Sequence, residues 1–117
     1  MTADCLPILL CNRGGSEVAA IHAGWRGLAD GIIEAALIDM KSPASELIAW
    51  IGPAISQQCF EVGDEVRDIF IAKQQNHESH FIANRAAHWL CDLPALAADT
   101  LSRLGVAEIN RSEYCNF

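Results

Sequence analysis

The sequence predicts an α+β sandwich, a single domain over residues 1–117. Three observations carry that prediction. Two short apolar runs near the start flank a glycine-containing turn, the pattern of a β-hairpin. Three longer stretches place apolar residues at helical spacing. The elements then follow as strand, strand, helix, strand, helix, a short strand, helix, strand. Hairpins mixed with helices in this way favour α+β over a strictly alternating, doubly wound sheet.

Each element has its own signal. Residues 5–11, CLPILLC, read as a short buried strand, NRGG at 12–15 as a turn, and SEVAAIH at 16–22 as the returning strand. AGWRG at 23–27 breaks that strand. Leu28, Ile32, Ala36, Leu37 and Met40 then share one face of a helix over 28–40, and KSP at 41–43 stops it. ELIAWIG at 46–52 is a third strand, ended by Gly52-Pro53. CFEVGDEVRDIFIAK at 59–73 reads as a loop leading into a helix, with Val62, Val66, Ile69 and Phe70 on one face. QQNHESH at 74–80 is polar and expected to be exposed. FIANRAAHWL holds a short strand near Phe81 or Trp89. Asp92 is an N-cap with Pro94 in the first turn. Leu93, Leu96, Ala97, Thr100, Leu101 and Leu104 make the last helix, Gly105 ends it, and VAEIN at 106–110 is the final strand. The chain opens on a strand and stops at CNF just after another, without polar, frayed ends, so flanking segments of a larger domain are expected.

Composition narrows the function. The chain is 51% hydrophobic and 20% charged, enough apolar content to bury a core. Its formal charge of -7 is the opposite of a nucleic-acid footprint, and no Lys/Arg cluster runs along a face. No apolar run reaches the roughly 18 residues of a membrane helix, and no basic segment precedes an apolar one as in a signal peptide. Five widely spaced cysteines with no CxxC pair argue against a disulfide framework and for a reducing cytoplasm. Small-molecule chemistry or protein contacts are the better expectation.

The hairpin allows a geometric test. With NRGG as its loop, Cys11 faces Ser16, Leu9 faces Val18, Pro7 faces Ala20 and Cys5 faces His22. Directly opposed side chains stand about 5 Å apart at Cβ. A thiol and an imidazole would then meet at the open end of the hairpin. Such a pair suits metal binding, nucleophilic catalysis by an activated thiolate, or a buried cysteine beside a hydrogen-bonded histidine. HAGWRGL adds to it. Gly24 and Gly27 permit close backbone approach, Arg26 offers a planar cation for phosphate or carboxylate, and a helix N-terminus follows. The plainer reading is a tight turn with Trp25 on the core and Arg26 solvated.

Other residues are less directed. Cys59 follows Gly52-Pro53 and could line a pocket or sit in the core. Asp4 could orient His22 or a substrate amine, or belong to a turn. His77 and His80 have the spacing of a helical metal pair, but their segment lacks helical periodicity and reads as a solvated loop. His88 and Trp89 read as packing residues, Asp92 as a cap, and Cys11 and Cys91 as structural.

TADCLPILL, HAGWRGL and IGPAISQQCFEVGDEV closely resemble the YfiH-like family, described variously as laccase-like polyphenol oxidase and as purine nucleoside phosphorylase with adenosine deaminase activity. The motifs are long, in order and correctly spaced. They cover essentially all of this chain and the middle and later part of a family member. The resemblance implies a cytoplasmic, zinc-dependent enzyme with an α-β-β-α layered sandwich of mixed sheets, incomplete here. It implies Cys5 and His22 as metal ligands, with a further histidine in an N-terminal region that has no counterpart in this chain. An SYRRDG-like strand is expected beyond Cys115. In that reading Cys5, His22 and Arg26 are catalytic, and Asp4, Trp25, Arg26 and Cys59 bind substrate. The implied reactions are phosphorolysis of adenosine, inosine, guanosine and methylthioadenosine, with Arg26 and the helix N-terminus holding phosphate, and deamination of adenosine. Zinc is the expected cofactor ahead of copper, since a blue copper site wants His2Cys with a weak axial ligand, which these residues do not assemble. The alternatives are a metal-independent Cys-His hydrolase acting on an amide or a peptidoglycan precursor, because the fold also resembles toxins that deamidate proteins with such a pair; a polyphenol oxidase; or an inactive fragment.

Overall fold

The computed structural model describes residues 6–52 and 61–111. Alternation of buried and exposed side chains builds the first sheet. Leu6, Ile8 and Leu10 of β1 (Leu6–Asn12) point inward with Ile21 and Ala23 of β2 (Val18–Ala23) and with Leu47, Ala49 and Ile51 of β3 (Leu47–Ile51). The sheet order is β2-β1-β3-β7, with β7 spanning Glu108–Arg111. The pairings β1 with β2 and β1 with β3 are antiparallel, and β3 with β7 is parallel, so the sheet is mixed.

Helices cover the inward face. α1 (Trp25–Ala29) and α2 (Ile32–Asp39) lie against β2, and α4 (Leu93–Arg103) lies against β3 and β7. The outer face stays open: Leu9 is 56%, Val18 74% and Trp50 44% exposed. A second, antiparallel sheet has the order β4-β6-β5, from β4 (Glu61–Gly63), β5 (Phe81–Arg85) and β6 (His88–Cys91). α3 (Asp64–Lys73) packs on it, with the Phe70 and Phe81 ring centroids 6.2 Å apart. The α+β class and the mixed sheet agree with the sequence.

Several elements differ in detail. The helix expected over 28–40 starts at Trp25 and is broken in two, because Gly31 takes φ +93° and only glycine adopts that geometry cheaply. Ile33, not Ile32, is its fully buried residue. The expected loop before α3 contains β4, and the segment expected to hold one short strand is a hairpin of two. Ile69 is exposed, whereas Val62, Val66 and Phe70 are buried as expected. α4 follows the sequence closely. Asp92 Oδ1 accepts from the Ala95 N–H at 3.1 Å, Pro94 sits in the first turn, and Gly105 follows with φ +93°.

Candidate functional site

The site expected from sequence centres on the exit of β2, and the hairpin register decides who meets there. His22 pairs with Pro7, Leu9 with Ala20 and Cys11 with Val18, so the direct Cys5–His22 opposition is replaced. Asn12 is the cause. It stays in the ladder, its N–H donating to Glu17 O at 3.1 Å, while its side-chain oxygen accepts from the Glu17 N–H at 3.1 Å and its amide donates to Ser16 Oγ at 2.8 Å. The loop therefore runs over residues 13–16, one position later than expected. Each pairing moves by two residues, which preserves the face. Glu17 is fixed in turn by the Lys41 and Ser42 backbone N–H groups at 2.7 and 2.8 Å, and these donors hold its carboxyl below the usual range.

His22 thus stands exposed on the open, outer face of the first sheet, with Pro7 beside it. Gly24 caps α1 with its backbone alone. Trp25 packs partly against the core, and the exposed Arg26 lays its guanidinium carbon 4.7 Å from the Trp25 ring centroid. The Trp25 ring is therefore shared between the core and Arg26, the plainer of the two sequence readings for Trp25. Gly27 leaves ordinary contact distances to Ile32 and Ala23, 3.7 and 3.8 Å from a built Cβ, so its neighbours are the protein's own side chains. The anion-attracting N-terminus belongs to a five-residue helix, which has little macrodipole to offer.

Asp4, Cys5 and Cys59 lie outside the described residues. Among the described residues, no group of three His, Cys, Asp or Glu side chains could hold a metal ion. His22 supplies one zinc donor, and a catalytic zinc site needs about three from the protein. The described side chains alone therefore do not fit zinc, and a zinc site would need Cys5 and a further ligand. Cys91 is fully buried, and burial pushes its thiol up to about 12, which removes it as a nucleophile. No helix among the described residues is long and apolar enough to cross a membrane.

One polar cluster runs against the sequence reading. The segment Gln75–His80 is a 3-10 helix, not a solvated loop, and His77 is 1% exposed. Its Nδ1–H donates to Phe70 O at 3.0 Å, and its ring meets Phe70 edge-on. His80 pairs with Asp99 of α4. The segment's polar composition hid this burial. The sequence signal that could have found it is the His-x-x-His spacing itself, which stacks the two rings with centroids 6.5 Å apart.

In this layered α+β fold an exposed histidine and an exposed arginine flank the strand-to-helix turn after β2. The chain belongs to the multi-copper polyphenol oxidoreductase laccase family, whose model matches residues 1–117. It is 45% identical over 118 residues to purine nucleoside phosphorylase PA4543 of Pseudomonas aeruginosa, covering 100% of this chain and 49% of that protein. It is 44% identical over 117 residues to purine nucleoside phosphorylase YfiH of Escherichia coli K12, covering 100% of this chain and 48% of that one. Among solved structures, Neisseria meningitidis protein NMB0706 matches with a TM-score of 0.94 and 45% identity, over 98% of this chain and 48% of that one. Bacillus licheniformis hypothetical protein YfiH matches with a TM-score of 0.88 and 29% identity, over 97% and 45%. The chain spans about half the length of the curated relatives it matches.

Proposed function

We propose that this chain carries the strand-to-helix part of a purine nucleoside phosphorylase site, acting on small molecules in the cytoplasm. The observation that supports this most is the exit of β2, where His22 and Arg26 stand exposed within one turn, in a chain matched end to end by relatives named for that activity. In phosphorolysis a phosphate oxygen bonds to ribose C1′, the bond from C1′ to the base nitrogen breaks, and the base leaves with the electron pair and takes up a proton. Arg26 is the group to hold phosphate, since its fork offers paired donors to two oxygens. Its stacking on Trp25 limits the orientations it must give up on binding. His22 is the group suited to carry the proton or to ligate a metal.

In this proposal the substrates are adenosine, inosine, guanosine and methylthioadenosine, and adenosine deamination is a second reaction of the same site. Zinc enters through Cys5 and His22, and when bound it would supply a Lewis acid.

The test is hypoxanthine release from inosine and inorganic phosphate by the full-length protein, with metal content measured in parallel. Arg26→Ala should raise KM for phosphate about tenfold or more, the loss of a charge-assisted contact, and His22→Ala should abolish turnover. Absence of turnover in the full-length wild-type protein, or a phosphate KM indifferent to Arg26, would sink the reading. Metal-free protein that remains active and is killed by thiol alkylation would instead favour the metal-independent Cys5–His22 reading over the zinc one.

A further inference from the structure

α1 is too short to stand alone, yet it carries Trp25 and Arg26. A five-residue helix gains little from its own hydrogen bonds. It has no side-chain cap at Gly24, and its last carbonyls need partners. Two of those partners come from one side chain far along the sequence. Lys73 Nζ, at the last residue of α3, donates to Leu28 O at 3.2 Å and to Ala29 O at 3.0 Å. A lysine near a helix C-terminus is well placed to hydrogen-bond the last carbonyls in this way. The same ammonium lies 3.5 Å from Glu34 Oε2 on α2, which Arg103 of α4 approaches at 3.9 Å.

α3 is itself a fixed support. Val66 and Phe70 anchor it in the core, and the His77 Nδ1–H and the Gln74 N–H both donate to Phe70 O at its C-terminal end. The load path therefore runs from the core through α3 and Lys73 to the end of α1. We propose that Lys73 is a positioning residue: by holding the C-terminus of α1 it fixes where Trp25 and Arg26 stand. The helix anchoring stands on these hydrogen bonds alone. Its consequence for substrate rests on reading Trp25 and Arg26 as substrate-site residues.

The experiment uses the whole chain and two variants, Lys73→Met, which keeps the stem and removes the donors, and Lys73→Arg, which restores them. Backbone amide exchange of Leu28 and Asp30, which donate to Gly24 O and Arg26 O, should speed up about tenfold in Lys73→Met, as expected for losing one charge-assisted hydrogen bond. Amides of β1 and β3 should keep their wild-type rates, and Lys73→Arg should return the α1 amides close to wild type. In the inosine assay Lys73→Met should raise KM for phosphate at unchanged kcat. Unchanged α1 exchange in Lys73→Met overturns the proposal. So does equal acceleration throughout the first sheet, failure of arginine to rescue, or faster α1 exchange with an unaltered phosphate KM. A full-length wild-type protein without turnover defeats the proposed function, while the exchange rates still decide whether Lys73 anchors α1.

Discussion

Acidification should weaken this fold through His77. Its ring is 1% exposed, its Nδ1–H is spent on Phe70 O at 3.0 Å, and its Nε2 has no partner among the described residues. A carbonyl can only accept, so the neutral ring carries its proton on Nδ1. A second proton would have to sit on Nε2, without an acceptor, inside the core. Burial is the main cause that lowers the His77 pKa from the ordinary 6.5. The Phe70 carbonyl and Asp99 oppose it, while His80 from the same turn and Arg103 from α4 add to it. The unfolded chain therefore takes up the proton first as pH falls. Stability is complete above about pH 6.5, declines below it, and levels off once the folded pKa is passed. Between the unfolded and folded pKa values the decline is at most about 1.4 kcal/mol per pH unit. The assay is urea unfolding of wild type and His77→Phe between pH 7.5 and 5. Phenylalanine keeps the edge-on contact with Phe70 and removes the titration. It forfeits one hydrogen bond, about 1 kcal/mol at pH 7.5, but does not orphan Phe70 O, which also accepts from the Gln74 N–H. Groups common to both proteins cancel in the difference. The variant should therefore lose its disadvantage as pH falls, and a difference that stays constant across the range would refute the reasoning.

Asp92→Ala removes the cap on Ala95 and an ion pair with Arg111 at 3.3 Å. It should cost about 1 kcal/mol, read as a lower urea midpoint at an unchanged slope. Cys91, fully buried with its thiol pushed up to about 12, should escape iodoacetamide in native protein at pH 8 and react after unfolding, as read by peptide mass mapping. Native labelling of Cys91 as fast as that of the partly exposed Cys11 would contradict its burial.

What the sequence disclosed follows from how local each signal is. α4 was readable almost to the residue, because Asp92, Pro94 and Gly105 act on their own neighbours and its apolar spacing is regular. The hairpin was readable in kind but its register was not. The deciding interaction was an Asn12 side chain choosing Glu17, two residues beyond the apparent turn. The break at Gly31 was missed because apolar spacing continues smoothly across it, while the backbone does not. At the site, His22, Trp25 and Arg26 announced themselves through HAGWRGL. Lys73 carried no local mark, since its partners Leu28 and Ala29 are brought to it by the packing of α3. His77 was misread because polar composition predicts exposure only when no neighbouring element closes over the segment, and here α3 and α4 do.

The parallel pairing of β3 with β7 sets the order in which this chain can assemble. Ile48 lies beside Glu108 and Ile51 beside Arg111, so everything from Gly52 to Ala107, the second sheet included, sits inside one crossover. Closing a loop of that length costs about 3–4 kcal/mol in its length-dependent part alone. The β1–β2 hairpin closes over a few residues and β3 adds to it from nearby, so three strands can align while β7 is still unmade. Of the pairings in the first sheet, β3 with β7 joins the residues farthest apart in sequence, the kind of contact that slows folding.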